Sequence, residues 1–319
     1  MIANHYQKDH FMKRGGVMER WQLEQMQGLP LDIKIKKTEL RIREFYEQFN
    51  GDIYISFSGG KDSTVLLDIA RNIYHNIKGV YCDTGLEYPE IREFVKTIDN
   101  IDWIKPKMNF KEVLGKYGYP VISKEQSEYI YEYRTAKSEK TRNTRLNGNK
   151  WGMGKISKKW LHMIDAPFKI SDMCCDVMKK RPFHIYERKT KLHPIIGTMA
   201  DESHHRQTKY LKDGCNSFDV KRPNSRPLSF WLEKDIWDYL KTKNVPYSKI
   251  YDMGYERTGC MFCMFGCHME GTPNRFQKMQ KTHPKQYQYC MENLGLKEVL
   301  EVYGVEYENR QMEFDLKEG

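Results

Sequence analysis

The segment ISFSGGKDSTVLLDIA, residues 55–70, places a glycine-rich turn between an apolar run and an amphipathic segment. The run from Ile53 to Phe57 is rich in β-forming residues, and the apolar residues from Val65 to Ala70 recur at helical spacing. We therefore predict a strand, a turn and a helix in that order. Such a turn directs backbone N–H groups and the positive end of the helix dipole at one place, which suits an anion. Gly59 and Gly60 leave the backbone open to a phosphate oxygen.

The turn departs from a Walker A loop. A Walker A loop begins with a glycine, continues with four residues and the Gly-Lys pair, and has a Ser or Thr directly after that pair. Here Ile55 stands in place of the first glycine, and Asp62 stands in place of the Ser or Thr. The turn instead resembles the pyrophosphate-binding loop, Ser-Gly-Gly-x-Asp-Ser, of the PP-loop ATP pyrophosphatases. Enzymes of that family split ATP between the α and β phosphates and pass AMP to an acceptor. The resemblance implies that ATP is bound by the loop residues Ser58, Gly59, Gly60, Lys61, Asp62 and Ser63.

The same resemblance implies chemical roles within the loop. Lys61 would supply a point charge to a phosphate, and Asp62 would hold Mg²⁺ through its carboxylate oxygens. We expect Lys61, Asp62 and Ser63 to be needed for turnover. The residues taken alone also allow an ordinary glycine-rich turn that carries a surface lysine.

The composition describes a chain that can build one sizeable core. Its 319 residues are 39% hydrophobic, and Lys and Arg outnumber Asp and Glu by 53 to 43. No apolar run approaches the roughly 20 residues that span a bilayer, and the first residues hold no hydrophobic signal core. We therefore expect a cytoplasmic protein without a membrane partner. Because that compartment keeps thiols reduced, the eight cysteines are not expected to form disulfides and remain free for metal binding or chemistry.

Strand-like and helix-like segments alternate along most of the chain. After the first strand and helix, KGVYCDTG and IDWIKP are typical of strands, and YPEIREFVKTI and NFKEVLGKYG are typical of helices. The alternation predicts an α/β fold with a doubly wound parallel sheet, whose ligands lie beyond the carboxyl ends of the strands. We predict a helical lead-in at residues 1–50, a main domain at 51–267 with a basic insertion at 134–160, and a helical tail at 268–319 after a Cys-rich region.

Three further stretches resemble the phosphoadenylylsulfate (PAPS) reductase branch of the PP-loop superfamily. DTGLEYPE at 83–90 matches the segment after the second strand, IIGTMADESHHR at 195–206 matches Gly-x-x-x-(Asp/Glu)-x-Ser-x-x-Arg, and residues 227–263 match a region that ends in Gly-Cys-x-x-Cys. The resemblance implies an adenine nucleotide alpha hydrolase-like fold. It also implies that Arg206 is catalytic. Four more residues would bind the nucleotide, namely Asp83, Thr84, Gly197 and Asp201.

The cysteines include two pairs that are far apart in the sequence. Cys174 and Cys175 are adjacent, and Cys260 and Cys263 follow about 85 positions later as C-x-x-C. This arrangement resembles the [4Fe-4S] site of the adenylylsulfate (APS) reductases in the same branch. Four thiolates also suit zinc, although adjacent side chains diverge and fit one tetrahedral ion poorly. Nearby Cys267, followed by His268, could be a spare ligand or a sulfur relay, or could only support the site.

The segment from Arg134 to Trp160 carries nine basic residues and one acidic residue, with Trp151 and Trp160 among them. Cations beside aromatic side chains suit a phosphate backbone and an unstacked base, so we expect a nucleic acid partner, DNA or transfer RNA. The predicted contacts are Lys155, Lys158 and Lys159. The alternative is a loop near the active site that only screens a small anionic substrate.

The function follows from differences within the resembled branch. Sulfonucleotide reductases attack with a cysteine in a Glu-Cys-Gly-(Ile/Leu)-His motif, which this sequence lacks, and their phosphate loops are degenerate, whereas this loop is intact. The combination resembles the DNA phosphorothioation ATP pyrophosphatases and the transfer RNA thiolases. We expect an iron–sulfur enzyme that adenylates an acceptor for sulfur insertion, with a cysteine desulfurase or another protein as sulfur donor. The alternatives are a PAPS or APS reductase-like enzyme and a nucleotide-binding regulatory protein without turnover.

Overall fold

The computed structural model describes residues 18–309. Its α-helices are α1 (Arg20–Gln27), α2 (Leu31–Gln48), α3 (Lys61–Ile73), α4 (Pro89–Lys96), α5 (Phe110–Tyr117), α6 (Lys124–Thr135), α7 (Glu139–Asn147), α8 (Arg181–Thr190), α9 (His204–Asp213), α10 (Glu233–Thr242), α11 (Arg275–Thr282), α12 (Pro284–Gln288) and α13 (Leu296–Tyr303). Its strands are β1 (Ile53–Ser56), β2 (Gly79–Cys82), β3 (Ile101–Ile104), β4 (Val121–Ile122), β5 (His193–Ile196), β6 (Asn216–Ser217), β7 (Asn224–Ser225) and β8 (Met264–Phe265). Residues 1–17 of the predicted lead-in and 310–319 of the predicted tail lie outside the described residues.

The chain divides into two compact units. The first holds the described part of Met1–Tyr81 together with Phe94–Asp102 and Thr190–Ser248. The second holds Cys82–Glu93, Trp103–Lys189 and the described part of Lys249–Gly319. No helix within residues 18–309 combines the length and the apolar character that a bilayer crossing requires.

The main sheet has six strands in the order β3-β2-β1-β5-β7-β6. Strand β1 pairs in parallel with β2 on one side and with β5 on the other, where Ile55 lies opposite Ile195. Strand β5 pairs in parallel with β7, and only the edge strand β6 runs antiparallel to its neighbour β7. Because the strand order runs outward from β1 in both directions, the carboxyl ends of β1 and β5 form the switch point of a doubly wound sheet. The predicted α/β fold is confirmed.

Three helices of the first unit, α2, α3 and α10, pack against one another. Their contact includes a fully buried ion pair, in which Nζ of Lys34 lies 2.5 Å from Oδ2 of Asp235. The same carboxylate oxygen accepts the backbone N–H of Leu232 at 2.7 Å and so caps the first turn of α10. Burying these charges is tolerated here because they neutralise each other and Oδ2 of Asp235 accepts two hydrogen bonds. The pair fixes the amino terminus of α10.

In the second unit, a short extended segment joins two distant parts of the chain. Tyr119 forms a parallel bridge with Ile170, and β4 pairs in parallel with β8. The preceding Gly118 has φ +106°, and a Cβ atom at this position would lie 2.4 Å from the backbone carbonyl of Lys169. Glycine is therefore required for this close approach of two backbones. The segment from Tyr119 to Ile122 thus holds the residues before Cys174 and those after Cys263.

Candidate functional site

The glycine-rich loop connects the end of β1 to the start of α3 in the first unit. Gly59 has φ +74°, in the left-handed region that favours glycine, and Gly60 precedes the helix with extended dihedral angles. The hydroxyl of Ser63 accepts the N–H of Ser58 at 3.1 Å and donates to the carbonyl of Gly60 at 2.9 Å. The loop is thus ordered by its own side chains, at the amino terminus of a 13-residue helix.

Asp62 carries a carboxylate oxygen that has no partner. Its Oδ1 atom is buried and makes no hydrogen bond with any described residue. Burial raises the pKa of Asp62 to about 6; the ammonium of Lys61 opposes this rise, and the carboxylates of Glu202 and Glu233 add to it. A buried, unpaired carboxylate oxygen fits a divalent cation whose other ligands come from a bound phosphate, and such a cation would relieve both the burial and the repulsion.

Lys61 is buried and paired with a residue that the sequence motif does not include. Its Nζ atom lies 3.1 Å from Oε1 of Glu233, the first residue of α10, and 5.8 Å from the ring centroid of Trp237. The Lys61 side chain is 5% exposed, whereas that of Glu233 is 51% exposed. No local sequence pattern links the two residues, because only the packing of α10 beside α3 brings them together.

Gly197 follows β5 and packs directly on the loop. A Cβ atom at Gly197 would lie 3.0 Å from the carbonyl oxygen of Asp62 and 3.3 Å from Cα of Ser63. Such contacts are tight, so a side chain here would require the loop to shift by a few tenths of an ångström. The structure therefore brings this predicted residue to the loop through a close backbone contact that favours glycine.

Asp201 and Arg206 lie on the polar segment that follows Gly197. Asp201 is exposed on a 3₁₀ turn at Ala200–Glu202, and Arg206 forms an ion pair with Glu202. The hydroxyl of Ser203 caps α9 by accepting the N–H of Arg206 at 3.3 Å. Glu202, which the sequence reasoning missed, thus holds Arg206 and also adds negative charge near Asp62.

Asp83 and Thr84 belong to the second unit, where both are already engaged. Oδ2 of Asp83 accepts Nη2 of Arg92 at 3.0 Å. The hydroxyl of Thr84 donates to Oε1 of Glu87 at 2.8 Å. Together with Phe262 and other residues of this unit, they line a cleft of about 690 Å³.

The two cysteine pairs both lie in the second unit, held by the segment from Tyr119 to Ile122. Cys174 and Cys175 follow the bridge at Ile170 and precede a π-helical turn at Asp176–Lys180. Such π-helical turns are found often at functional sites. The other pair forms a tight turn, with the N–H of Cys263 on the carbonyl of Cys260 at 3.1 Å, directly before β8. Two stretches far apart in sequence thus come together on one scaffold.

The thiols of the two pairs influence one another electrostatically. Burial raises the pKa of Cys174, and negative charge on Cys260, Cys175 and Cys263 would raise it further. Burial and Cys260 raise the pKa of Cys263 to about 11. Within residues 18–309, no three His, Cys, Asp or Glu side chains are arranged so as to hold a metal ion. The pairs lie near each other without forming a closed ligand set, and the metal assignment stays a prediction.

Two cations flank these thiols. The positive charge of Lys179 acts on the thiol of Cys260, and its Nζ atom lies 3.8 Å from Oε1 of Glu87. Arg275 donates from Nη1 to the carbonyl of Cys263 at 2.8 Å. Burial raises the pKa values of the Cys260 and Cys263 thiols, and the positive charges of Lys179 and Arg275 partly oppose this rise. The donor set, four thiols beside two cations, suits a thiolate-ligated group of negative charge.

Cys267 makes supporting contacts. It is 1% exposed, and its Sγ atom donates to the carbonyl of Met264 at 3.0 Å. Burial raises its pKa to about 12. Nδ1 of the adjacent His268 lies 2.5 Å from the hydroxyl of Tyr303. Cys290, which the sequence did not assign, is fully buried with a pKa raised to about 12 by burial.

The basic insertion divides into inward and outward cations. Arg134 points inward and donates to four carbonyls between 2.6 and 2.9 Å, those of Met163, Ile164, Ala166 and Phe168. Arg145 donates to Glu132 and Gly154. The other seven cations are exposed and form no ion pair with a described carboxylate: Lys137, Lys140, Arg142, Lys150, Lys155, Lys158 and Lys159.

The two tryptophans of the insertion differ in the same way. Trp160 is 7% exposed and packs edge-on against His268 at 4.9 Å between ring centroids, whereas Trp151 is 68% exposed. Trp160 is therefore packed inside the second unit, with Nζ of Lys159 4.8 Å from its ring centroid, whereas the indole of Trp151 is open to solvent.

Comparison with known proteins identifies the family. Residues 52–265 match the phosphoadenosine phosphosulfate reductase domain, so the chain belongs to that family, as the sequence resemblance predicted. An adenosine 5′-phosphosulfate reductase of Lysinibacillus sphaericus is 25% identical over 70% of this chain and 77% of its own. An uncharacterized protein of Methanocaldococcus jannaschii is 27% identical over 79% of this chain, which spans only 51% of that longer relative. The crystal structure of phosphoadenylyl-sulfate reductase from Candida auris gives a TM-score of 0.43 at 14% identity, covering 76% of this chain and 96% of its own.

Proposed function

We propose that the protein is an ATP pyrophosphatase that adenylates an acceptor oxygen, which sulfur then replaces. The observation that carries the proposal is the buried Oδ1 atom of Asp62, which lacks a partner among residues 18–309 and belongs to an intact Ser-Gly-Gly-x-Asp-Ser loop. An unpaired buried carboxylate costs stability, and a cation that arrives with the nucleotide explains why it is present.

In this proposal the loop acts on the departing pyrophosphate. The backbone N–H groups from Gly59 to Lys61 bind its oxygens at the amino terminus of α3. Lys61 exchanges its contact with Glu233 for a phosphate oxygen, and Asp62 holds Mg²⁺. Bound Mg²⁺ supplies neutralisation of the charge on the leaving group. Arg206 contacts the α phosphate in place of its contact with Glu202.

The reaction has two substitution steps. The acceptor oxygen bonds to the α phosphorus of ATP, and the bond from that phosphorus to the bridging oxygen breaks, so that pyrophosphate leaves. A sulfur nucleophile then attacks the atom that bears the activated oxygen, and AMP departs with that oxygen. A poor leaving group is thereby converted into a good one.

The cysteine pairs would hold a [4Fe-4S] cluster through Cys174, Cys175, Cys260 and Cys263. Such a cluster supplies sulfur chemistry at this site when bound. Lys179 and Arg275 offset the negative charge of four thiolates. A cysteine desulfurase or a protein of the same chemistry would deliver the sulfur.

We infer that the acceptor is a nucleic acid, DNA or transfer RNA. Support comes from the seven exposed cations of the insertion, among them Lys155, Lys158 and Lys159, which carry no acidic partner among the described residues. Such a surface favours a polyphosphate chain over a small anion, because a small anion would touch few of these charges.

A second candidate is a reductase of sulfonucleotides. It is favoured by the named relatives, which are adenosine 5′-phosphosulfate reductases at low identity. That reaction needs a reactive thiol. The last cysteine of the sequence, Cys290, is fully buried, and its Sγ atom donates to the carbonyl of Tyr287 at 3.1 Å. The buried thiol makes this candidate the weaker one.

Product analysis tests the proposal. Incubation with Mg-ATP should release AMP and pyrophosphate, slowly without an acceptor, and Asp62→Ala and Ser63→Ala should abolish release. Asp238→Ala, which changes an exposed residue of α10, should have no effect. Release of ADP and phosphate, ATP binding without turnover, or sulfite production from adenosine 5′-phosphosulfate with a thiol reductant would each contradict it.

A further inference from the structure

A short loop in the basic insertion is built to present one aromatic side chain. The loop at 148–154 closes through the N–H of Asn149 on the carbonyl of Met153 at 2.8 Å, and the N–H of Gly152 on the carbonyl of Asn149 at 2.7 Å. The side chain of Asn149 accepts the N–H groups of Trp151 and Met153 at 2.9 and 3.1 Å. The tip of the insertion therefore has a defined conformation.

The loop is also anchored to the helix before it. Gly148 has φ +89°, and a Cβ atom there would lie 2.7 Å from the backbone of Gly152. Nη1 of Arg145 donates to the carbonyl of Gly154 at 2.7 Å, and the N–H of Ile156 donates to the carbonyl of Arg145 at 2.8 Å. The loop at 148–154 is thus ordered before any partner binds.

What the loop presents is apolar and exposed. Trp151 is 68% exposed and Met153 is 60% exposed, although tryptophan is usually well buried. The Nζ atom of Lys150 lies 4.0 Å from the centroid of the Trp151 ring. An indole held in solvent beside a cation offers a flat surface and a positive charge at the same place.

The surroundings are strongly positive. Helix α7 buries no side chain, and the exposed cations around the loop include Lys140 and Arg142 on that helix and Lys155 after the loop. Glu139 is the single acidic residue of the segment from 134 to 160. A partner here must bring negative charge together with a flat apolar group.

We propose that Trp151 is a stacking platform for an unpaired nucleobase, so that the insertion binds single-stranded rather than fully paired nucleic acid. The inference rests on the proposed nucleic acid acceptor and names the form of that acceptor. Bases within a duplex already stack on their neighbours, whereas an unpaired base gains by stacking on an aromatic ring. A single strand brings a negative charge and a flat ring at every nucleotide, whereas the acidic side chains of a polypeptide bring charge alone.

The test compares variants by binding of a labelled oligonucleotide of about 12 nucleotides, single-stranded or paired. Trp151→Ala should raise Kd for the single strand by about fivefold or more and leave the dependence on salt unchanged. Trp151→Phe should restore most of the affinity. Trp21→Ala removes another exposed indole, 55% exposed in α1, and should have no effect.

The triple change of Lys155, Lys158 and Lys159 to Ala separates this inference from the proposed function. It should flatten the plot of log Kd against log salt by about two to three units, because about 0.7 to 0.9 units are lost per phosphate contact. A flattened slope with normal binding by Trp151→Ala would overturn the stacking platform and keep the nucleic acid acceptor. No nucleic acid binding by the unaltered protein at low salt would overturn both.

Poly-glutamate serves as a polyanion without bases. Quenching of tryptophan fluorescence by the oligonucleotide, lost in Trp151→Ala and absent with poly-glutamate, would support stacking. Equal quenching by poly-glutamate would overturn it in favour of an acidic polypeptide. Equal affinity for paired and single strands would overturn it in favour of contacts to the phosphate backbone without stacking.

Discussion

The ammonium of Lys61 lies 3.1 Å from the carboxylate of Glu233 in the first unit. The lysine that the sequence motif assigns to phosphate binding is thus already neutralised by an acidic residue outside the motif. In the proposed function, a nucleotide would compete with that carboxylate. We therefore expect the strength of nucleotide binding to depend on α10 as well as on the loop.

Glu233→Gln is expected to strengthen nucleotide binding, because it frees Lys61 and removes one negative charge near Asp62. Glu233 is half-exposed, so the gain should be modest, with Kd for ATP about two- to fivefold lower by isothermal titration calorimetry. Asp238→Asn, on an exposed position of the same helix, is the matched control and should not change Kd. Weaker binding by Glu233→Gln would mean that Glu233 itself helps to hold the cation.

Asp62→Asn is expected to stabilise the protein in the absence of magnesium. The pKa of this carboxyl group is about 6 in the folded protein against an ordinary value of 3.8, so the folded state binds more protons between pH 4 and 6. Stability should therefore fall as pH rises through this window, and removing the charge should recover up to about 3 kcal/mol at pH 7.

Urea unfolding in a chelator at pH 4 and pH 7 measures this effect. Asp62→Asn and the unaltered protein should differ at pH 7 and converge at pH 4. Asp201→Asn, which changes an exposed carboxylate of the same unit, should follow the unaltered protein. A destabilised Asp62→Asn at pH 7 would contradict the burial of an unpaired charge.

Magnesium-dependent turnover should follow the same group. Below pH 6 the carboxyl group is protonated and loses its affinity for a cation. Activity at fixed Mg-ATP is therefore expected to fall as pH drops through 6, and raising the magnesium concentration should shift the fall to lower pH. A pH profile that does not respond to magnesium would argue against Asp62 as the ligand.

Each of the four paired cysteines should be needed for metal content. Anaerobically purified protein is expected to hold iron and sulfide near four each per chain. Each of the variants Cys174→Ser, Cys175→Ser, Cys260→Ser and Cys263→Ser should lose both. Cys267→Ser and Cys290→Ser should keep them, because these two thiols are buried on backbone carbonyls. Zinc without iron would overturn the cluster, and loss of iron in Cys267→Ser would revise the ligand set.

Arg134→Ala is expected to destabilise the second unit without a direct effect on nucleic acid contacts. Its guanidinium donates to four backbone carbonyls, and their loss should cost about 2–5 kcal/mol in thermal or urea unfolding. Arg142→Ala removes an exposed arginine of α7 and should change stability by less than about 0.5 kcal/mol. Equal stability of the two variants would contradict the structural role of Arg134.

The loop could be predicted because its residues are consecutive and its backbone geometry follows from glycine, a strand and a helix. Glu233 and Glu202 could not, because their effect on Lys61 and Asp62 depends on helices that begin elsewhere in the chain. The same limit applies to charge. Nine cations in one segment predict a basic surface, yet only the packing shows that Arg134 and Arg145 point inward.

The cysteine pairs illustrate a different limit. Their spacing predicts a common site, but nothing in the sequence marks Gly118 and Tyr119 as the residues that bring the pairs together. Lys179 and Arg275 were likewise missed, since a single basic residue near a cysteine carries no distinctive pattern. Functional residues that are close in sequence can be predicted from their spacing, whereas the contacts that support them depend on pairing between distant segments.

The Tyr119–Ile170 bridge and the pairing of β4 with β8 fix both ends of everything that lies between residues 123 and 169. Residues 123–169 thus begin and end beside the segment from Tyr119 to Ile122. The entropic cost of closing such a loop rises only slowly with its length. We expect this stretch to be exchangeable between related chains. Related chains are expected to vary here in size and charge while their cysteine pairs stay in place, and the choice of acceptor would change with this stretch rather than with the chemistry.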